Sequence, residues 1–382
     1  MEREQRVTPL ELFYDLVFVF AFTQVTTVLS DDPTWRGLGH GLLIMGALWW
    51  TWASYAWLTN SVDPDEALVW GAVLVASAAM FVAALAVPEA FGKHGVVFGV
   101  AFLGVVVMFL ALYALAAHGD PGLLGAIRRI APLPLTGAAL IVVAGFVGDG
   151  LRSLLWLVAL AIGFFGPVFT GLEGWRLHVA HFVERHGLIV IIAIGESLVA
   201  IGLGARVTEL SAAVIVAAVL GFGVGAALWL GYFDYFPPAA QRVLEERRGT
   251  QRLALARDLY TYLHLPIVVG IVLFAFAMKK TLAHVGDELD TVPAVALCGG
   301  PALMLLAFWA MRVRIGRSIR WRSGRLLAGI ASLLLIPVAT AVPALGALAL
   351  VLGVWVVLHA YELIWWREAR AEIRSSRAAA AA

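Results

Sequence analysis

Residues 181–202 read HFVERHGLIVIIAIGESLVAIG, and from Gly187 onward the run is a membrane-spanning helix with almost nothing polar in it. Glu196 falls near its middle. An ionisable side chain at that depth costs at least ~2.5 kcal/mol on the gentler insertion scales. Such a residue is expected to face protein or a wet cavity, and to mark a functional site.

The same apolar character extends outward over the whole chain. Of 382 residues 62% are hydrophobic and 14% charged, and the mean hydropathy is +0.90. Soluble proteins carry about 25% charged residues. Apolar runs of membrane-crossing length recur from end to end, so the fold class is all-α and polytopic. A single cysteine, Cys298, allows no internal disulfide and no thiolate cluster. No basic, aromatic-interleaved segment points to nucleic acid. Acidic residues precede the first apolar run and no clean cleavage site follows, so that helix is expected to be retained.

Twelve crossings are expected, at about 9–29, 37–58, 67–87, 95–117, 132–148, 152–171, 184–204, 210–232, 254–277, 292–311, 326–341 and 344–365. The fifth is the weakest, opening on Pro132 and Pro134, and Pro266 is expected to kink the ninth. Beyond Arg377 the alanine tail is expected to be disordered. With the N-terminus inside, 21 of the 27 lysines and arginines fall in inside segments and 6 outside. Basic residues favour the cytoplasmic side, so both termini are expected there, in the inner (plasma) membrane.

The chain also reads as a duplication. Asp15–Gln24, DLVFVFAFTQ, aligns with Gly187–Glu196, GLIVIIAIGE, and WASY at 52–55 with WLGY at 229–232. This gives two six-helix halves, 1–172 and 173–382. Because six is even, the halves run parallel, as in carriers built from repeats. Chance similarity between apolar helices is the competing explanation.

Four motifs carry a resemblance over essentially the whole chain: TPLELFYDLVFVFAFTQV near the start, WWTW in the second helix, HFVERHGLIVIIAIGES in the seventh and LYTYLHLPIVVGI in the ninth. The sequence resembles the bacterial low temperature requirement protein A (LtrA) family. The resemblance implies a multi-pass inner-membrane protein linked by name to growth in the cold. It carries over no activity and no catalytic residue list. The positions that fit its motifs are Glu11, Asp15, Gln24, His181, Glu184, Glu196 and His264.

Polar residues within the spans are the candidate substrate- or ion-binding set: these seven with Asp258 and Tyr262. Glu11 and Asp15 are four apart and share a helix face. They read as paired carboxylates lining a vestibule. Glu11 reads equally as a first-turn acid complementing the helix dipole, and Asp15 as a structural ion pair. His181, Arg185 and Glu196 fall within about 60° on one face of the seventh helix. There Glu196 binds a proton or cation while His181 and Arg185 shape the entry, or a protonated Glu196 merely bonds a neighbouring helix. In the ninth helix His264 precedes Pro266, which offers either freed carbonyls or a simple kink, and Arg257 is expected to pair away from Asp258. His178, His181 and Glu184 have a spacing metal ligands use, but they read as a solvated segment, and no metal or cofactor is expected. The tryptophans Trp49, Trp50, Trp52 and Trp57 read as packing more than as a cation–π wall.

No mid-span lysine, nucleophile elbow, P-loop or dinucleotide fingerprint is present, which disfavours retinal-type, hydrolase and nucleotide chemistry. Three functions fit. The first is a secondary transporter of a small or cationic solute, proton-coupled through buried carboxylates. The second is an intramembrane enzyme or lipid-handling protein using His181, Glu184 and Asp15. The third is a membrane sensor or scaffold. An enzyme is the less favoured of these. The expected partners are membrane lipids and a small solute or proton, with oligomeric state open.

Overall fold

The computed structural model describes residues 7–60, 67–206, 209–234, 236–316 and 324–365. The acidic loop at 61–66, part of the arginine-rich loop and the alanine tail lie outside the described residues. Among the described residues the regular structure is helical, apart from one isolated bridge between Glu288 and Pro343.

Among the described residues, ten helical segments are long and apolar enough to cross a membrane. They are α1 (Pro9–Asp31), α3 (Ala67–Ala86), α4 (Gly95–Ala116), α5 with α6 (Pro121–Ile130 and Pro132–Ala144), α7 (Asp149–Phe169), α8 (Val179–Arg206), α9 with α10 (Ala212–Phe233 and Phe236–Glu246), α11 with α12 (Gly249–Ala256 and His264–Ala283), α13 (Thr291–Arg314) and α16 (Ala344–Trp365). Helix α2 (Trp35–Leu58) is as long, but its apolar surface is largely tryptophan, glycine and alanine. A shorter apolar stretch, Gly324–Ala339, comprises α14 (Gly324–Leu334) and α15 (Ile336–Ala339).

Local chemistry sets the helix starts. Thr8 caps α1 in a full capping box with Glu11, and Pro9 occupies the first turn, where its missing N–H is harmless. Asp120 accepts the Gly122 and Leu123 amides at the start of α5, and Ser211 accepts the Val214 amide at the start of α9.

The expected kink at Pro266 is displaced. The irregularity is a π turn at Arg257–Tyr262, whereas Pro266 lies in the first turn of α12, which tolerates proline.

The chain forms two compact units. Unit 1 is Met1–Ile192 with Arg247–Thr261, and unit 2 is Ala193–Glu246 with Tyr262–Ala382. The boundaries fall inside α8, between α10 and α11, and inside the π turn. In unit 1, α1 packs on α2 and α3, α3 on α4, α4 on α6, α6 on α7, and α2 on α7. Its core is aromatic: Trp49, Trp52, Trp156, Tyr14, Tyr55, Phe18 and Phe22 are fully buried, and Tyr14 stacks on Tyr55 with centroids 4.5 Å apart. In unit 2, α12 packs on α13, α13 on α14, α14 on α16, and α16 on α9. At the α12–α13 crossing a Cβ on Gly270 would lie 2.3 Å from the Gly300 carbonyl oxygen, so only glycine allows the backbones to touch. Both units expose large apolar side chains, Phe169 and Phe146 in unit 1 and Val357 and Val219 in unit 2. Such surfaces are a liability in water and suit hydrocarbon.

Candidate functional site

Two short patterns build the site in unit 1. On α1, Glu11 and Asp15 stand one turn apart; on α8, His181 and Arg185 do the same. The acidic pair meets the basic pair. Arg185 donates from Nη1 to Glu11 Oε1 at 2.8 Å and from Nη2 to Asp15 Oδ1 at 2.7 Å. His181 Nε2 lies 2.9 Å from Glu11 Oε1 and 3.1 Å from Oε2. From α2, the Trp52 indole N–H donates to Asp15 Oδ1 at 2.8 Å, and its ring lies 5.8 Å from the guanidinium carbon. None of the four side chains Glu11, Asp15, His181 and Arg185 belongs to a residue more than 3% exposed.

Glu11 therefore acts as the first-turn acid read from the sequence and also joins the ion cluster. Its Oε2 accepts the Thr8 amide at 2.8 Å as part of the cap, while Oε1 sits in the ion cluster. Asp15 is an ion-pair partner with more to offer: its Oδ2 is buried and has no hydrogen-bond donor among the described residues. His181 Nδ1 and Arg185 Nε are likewise buried without a hydrogen-bond partner among the described residues. A small cavity of about 10 Å³ beside Glu11, Arg185, Tyr14 and Tyr55 has room for roughly one water.

A second layer orients these groups. His186 Nδ1 lies 2.8 Å from the Phe182 carbonyl, and its ring meets Trp52 and Tyr260 edge-on. The π turn supplies Thr261, whose carbonyl accepts the Trp49 indole N–H at 2.7 Å and whose hydroxyl accepts that of Trp57 at 2.9 Å. A π turn widens the helical ladder and recurs at functional sites.

The remaining candidates lie elsewhere. Glu184 is exposed, its Oε2 3.4 Å from the Val7 amide. Gln24 is half-buried on α1. Asp258 pairs with Arg257 at 2.8 Å, against the expectation that Arg257 pairs elsewhere. Successive residues of an α-helix do not face each other, but both sit in the π turn, where that geometry is relaxed. In unit 2, Glu196 is fully buried in protein next to Ser197, whose hydroxyl donates to the Ile194 carbonyl at 2.6 Å. His264 Nε2 lies 2.9 Å from the Tyr232 hydroxyl, between the rings of Tyr232 and Phe236. Tyr262 is half-buried. Among the described residues no three His, Cys, Asp or Glu side chains are grouped as metal ligands.

Sequence reasoning undervalued two residues of this cluster. Arg185, read only as shaping an entry, is the hub of the cluster. The available signal was two i,i+4 pairs of opposite sign on separate helices. Trp52 is a direct donor to Asp15, and nothing in a tryptophan-rich helix marks which indole that is.

The comparisons with known proteins point to one family. The sequence model of the family described as bacterial low temperature requirement A protein (LtrA) matches residues 6–360. An uncharacterized protein of Rhizobium meliloti (strain 1021) is 33% identical over 320 residues, covering 79% of this chain and 76% of that protein. No solved structure matches. With nearly its whole length matched and its helices long and apolar enough to span a membrane many times, the chain belongs to the bacterial low temperature requirement A family of multi-pass membrane proteins.

Proposed function

We propose that the protein is a secondary transporter of a small solute, coupled to protons through its buried carboxylates. The observation that carries this is the charge balance at Asp15. Two carboxylates and one guanidinium leave a surplus negative charge where His181 is neutral, and Asp15 Oδ2 is buried with no donor among the described residues. In a low-dielectric site an uncompensated charge is costly. One added proton, on the His181–Glu11 pair or on Asp15, neutralises the cluster. That is the property a proton-coupling station needs, and Glu196 supplies a fully buried carboxylate in unit 2.

The wider architecture in this reading is twelve crossings, adding α2 and Gly324–Ala339 to the ten. It has two parallel six-helix halves and both termini cytoplasmic in the inner membrane. The order of neighbours supports the duplication. The third helix of each half packs on the fourth, the fourth on the fifth, the fifth on the sixth, and the sixth returns to the second.

Proton flux in proteoliposomes loaded with a pH-sensitive dye tests the reading, comparing wild type with Asp15→Asn and Glu196→Gln. Solute-driven acidification is expected to vanish in Asp15→Asn and to fall at least tenfold in Glu196→Gln. Unchanged flux in both, with normal folding, would instead favour the scaffold reading, in which the same cluster only locks α1 to α8.

A further inference from the structure

Unit 1 contains a second site that the ion cluster does not use. A cavity of about 60 Å³ opens where α2, α4 and α7 end, walled by Trp50, Trp57, Phe109, Tyr113 and Trp175, with Arg257 at its edge. By volume it accepts roughly four to six water-sized groups. Pockets of this make-up, apolar walls with a few convergent polar groups, are where small molecules bind.

The walls are fixed. Trp175 comes from the loop between α7 and α8 and meets Tyr113 at right angles, with centroids 5.3 Å apart, and Trp57 edge-on at 6.4 Å. That loop is pinned to α5. Arg129 donates from Nε to the Thr170 carbonyl at 3.1 Å and from Nη2 to the Glu173 carbonyl at 2.7 Å, and Arg176 pairs with Asp120. Gly174, at φ +87°, packs so closely on the Gly122 carbonyl that a side chain would collide with it. On the opposite wall the Thr261 hydroxyl holds the Trp57 indole.

Charge selects the ligand. Five aromatic walls alone would suit an organic cation. Here, among the described residues, the charged lining side chain is a guanidinium and none of the lining side chains is a carboxylate. Arg257 is oriented by Asp258, which accepts from Nε at 2.9 Å and from Nη2 at 2.8 Å. Its Nη1 donates to the Pro167 carbonyl at 3.3 Å, a long bond. An incoming carboxylate would take that donor at about 2.7–2.9 Å in a charge-assisted bond.

We propose that this cavity binds a small monocarboxylate, its apolar body between the tryptophans and its carboxylate on Arg257. The full chain in lipid nanodiscs is titrated calorimetrically with butyrate and benzoate, and with tetramethylammonium and benzyl alcohol. One benzoate is expected to bind per chain, at least tenfold more weakly in Arg257→Gln and in Trp175→Ala, and unchanged in Arg325→Gln. Absence of saturable carboxylate binding overturns the proposal, as does equal binding of benzyl alcohol or preferred binding of tetramethylammonium. Fluorine NMR of 4-fluorobenzoate on the unmodified protein, displaced by benzoate but not by tetramethylammonium, tests the same point without a variant. Neither measurement uses flux, so its result is independent of the transport reading.

Discussion

Each unit buries a histidine against a partner on another helix, and the two settings differ in charge. In unit 1 His181 joins two carboxylates and an arginine, all sealed from solvent. In unit 2 His264 meets a tyrosine hydroxyl among aromatic rings, while the ion pair Arg325–Glu362 keeps 18% and 11% of its side-chain surface exposed. A sealed ionic group is held by mutual compensation, so removing one member leaves the others uncompensated. A neutral pair, or a pair that still touches solvent, loses only its own bond. The contrast predicts a graded response.

The largest effect is expected at Arg185. Arg185→Met strands two carboxylates and should destabilise unit 1 by about 3–5 kcal/mol, measured by thermal melting in one detergent. The triple variant Glu11→Gln, Asp15→Asn, Arg185→Met should recover most of that loss. A triple variant as unstable as the single one would break the comparison, because the cluster would then be needed for more than charge balance.

Asp15→Asn comes next, at about 1–3 kcal/mol: Arg185 keeps Glu11, and Trp52 keeps an acceptor. Tyr232→Phe in unit 2 removes the hydroxyl's bond to His264, so about 1 kcal/mol is expected. Arg325→Gln should cost about 1 kcal/mol or less, since the pair is partly solvated and the guanidinium also loses its contact with the Phe308 ring, 4.6 Å away. A larger loss there than at Asp15 would invert the ranking.

The smallest effect lies outside the spans, at Asp120. The Leu123 amide, with Arg176 and the Gly122 amide, holds its carboxyl below the usual aspartate range of 3.8. A depressed folded value means that the contact is fully present above the ordinary value and lost only as pH falls through the lower folded one. The protection of the backbone amides in residues 170–178, corrected for the intrinsic pH dependence of exchange, should therefore stay constant from neutral pH to about pH 4, and be lower throughout that range in Asp120→Asn.

The helices were legible because apolar runs of spanning length have few alternative readings; α16 spans the stretch at 344–365 that the hydropathy marked. The π turn was not, since a widened turn leaves no compositional mark and Pro266 drew attention downstream. In the site, Glu11, Asp15 and His181 stood out as ionisable groups within apolar runs. Their meeting did not, because a sequence gives each helix its stripe but not the rotation that sets two stripes face to face. Arg185 was read only as shaping an entry for the same reason: nothing on its own helix shows that the acids of α1 meet it.

Glu11 leaves one consequence in the fold. A single carboxylate closes the first turn of α1 through Thr8 and balances the charge of Arg185. Any movement of charge among those side chains pulls on the same atoms that keep the helix from fraying. The amide of Thr8 thus becomes a gauge at the edge of the span for an event buried within it, readable by exchange with heavy water.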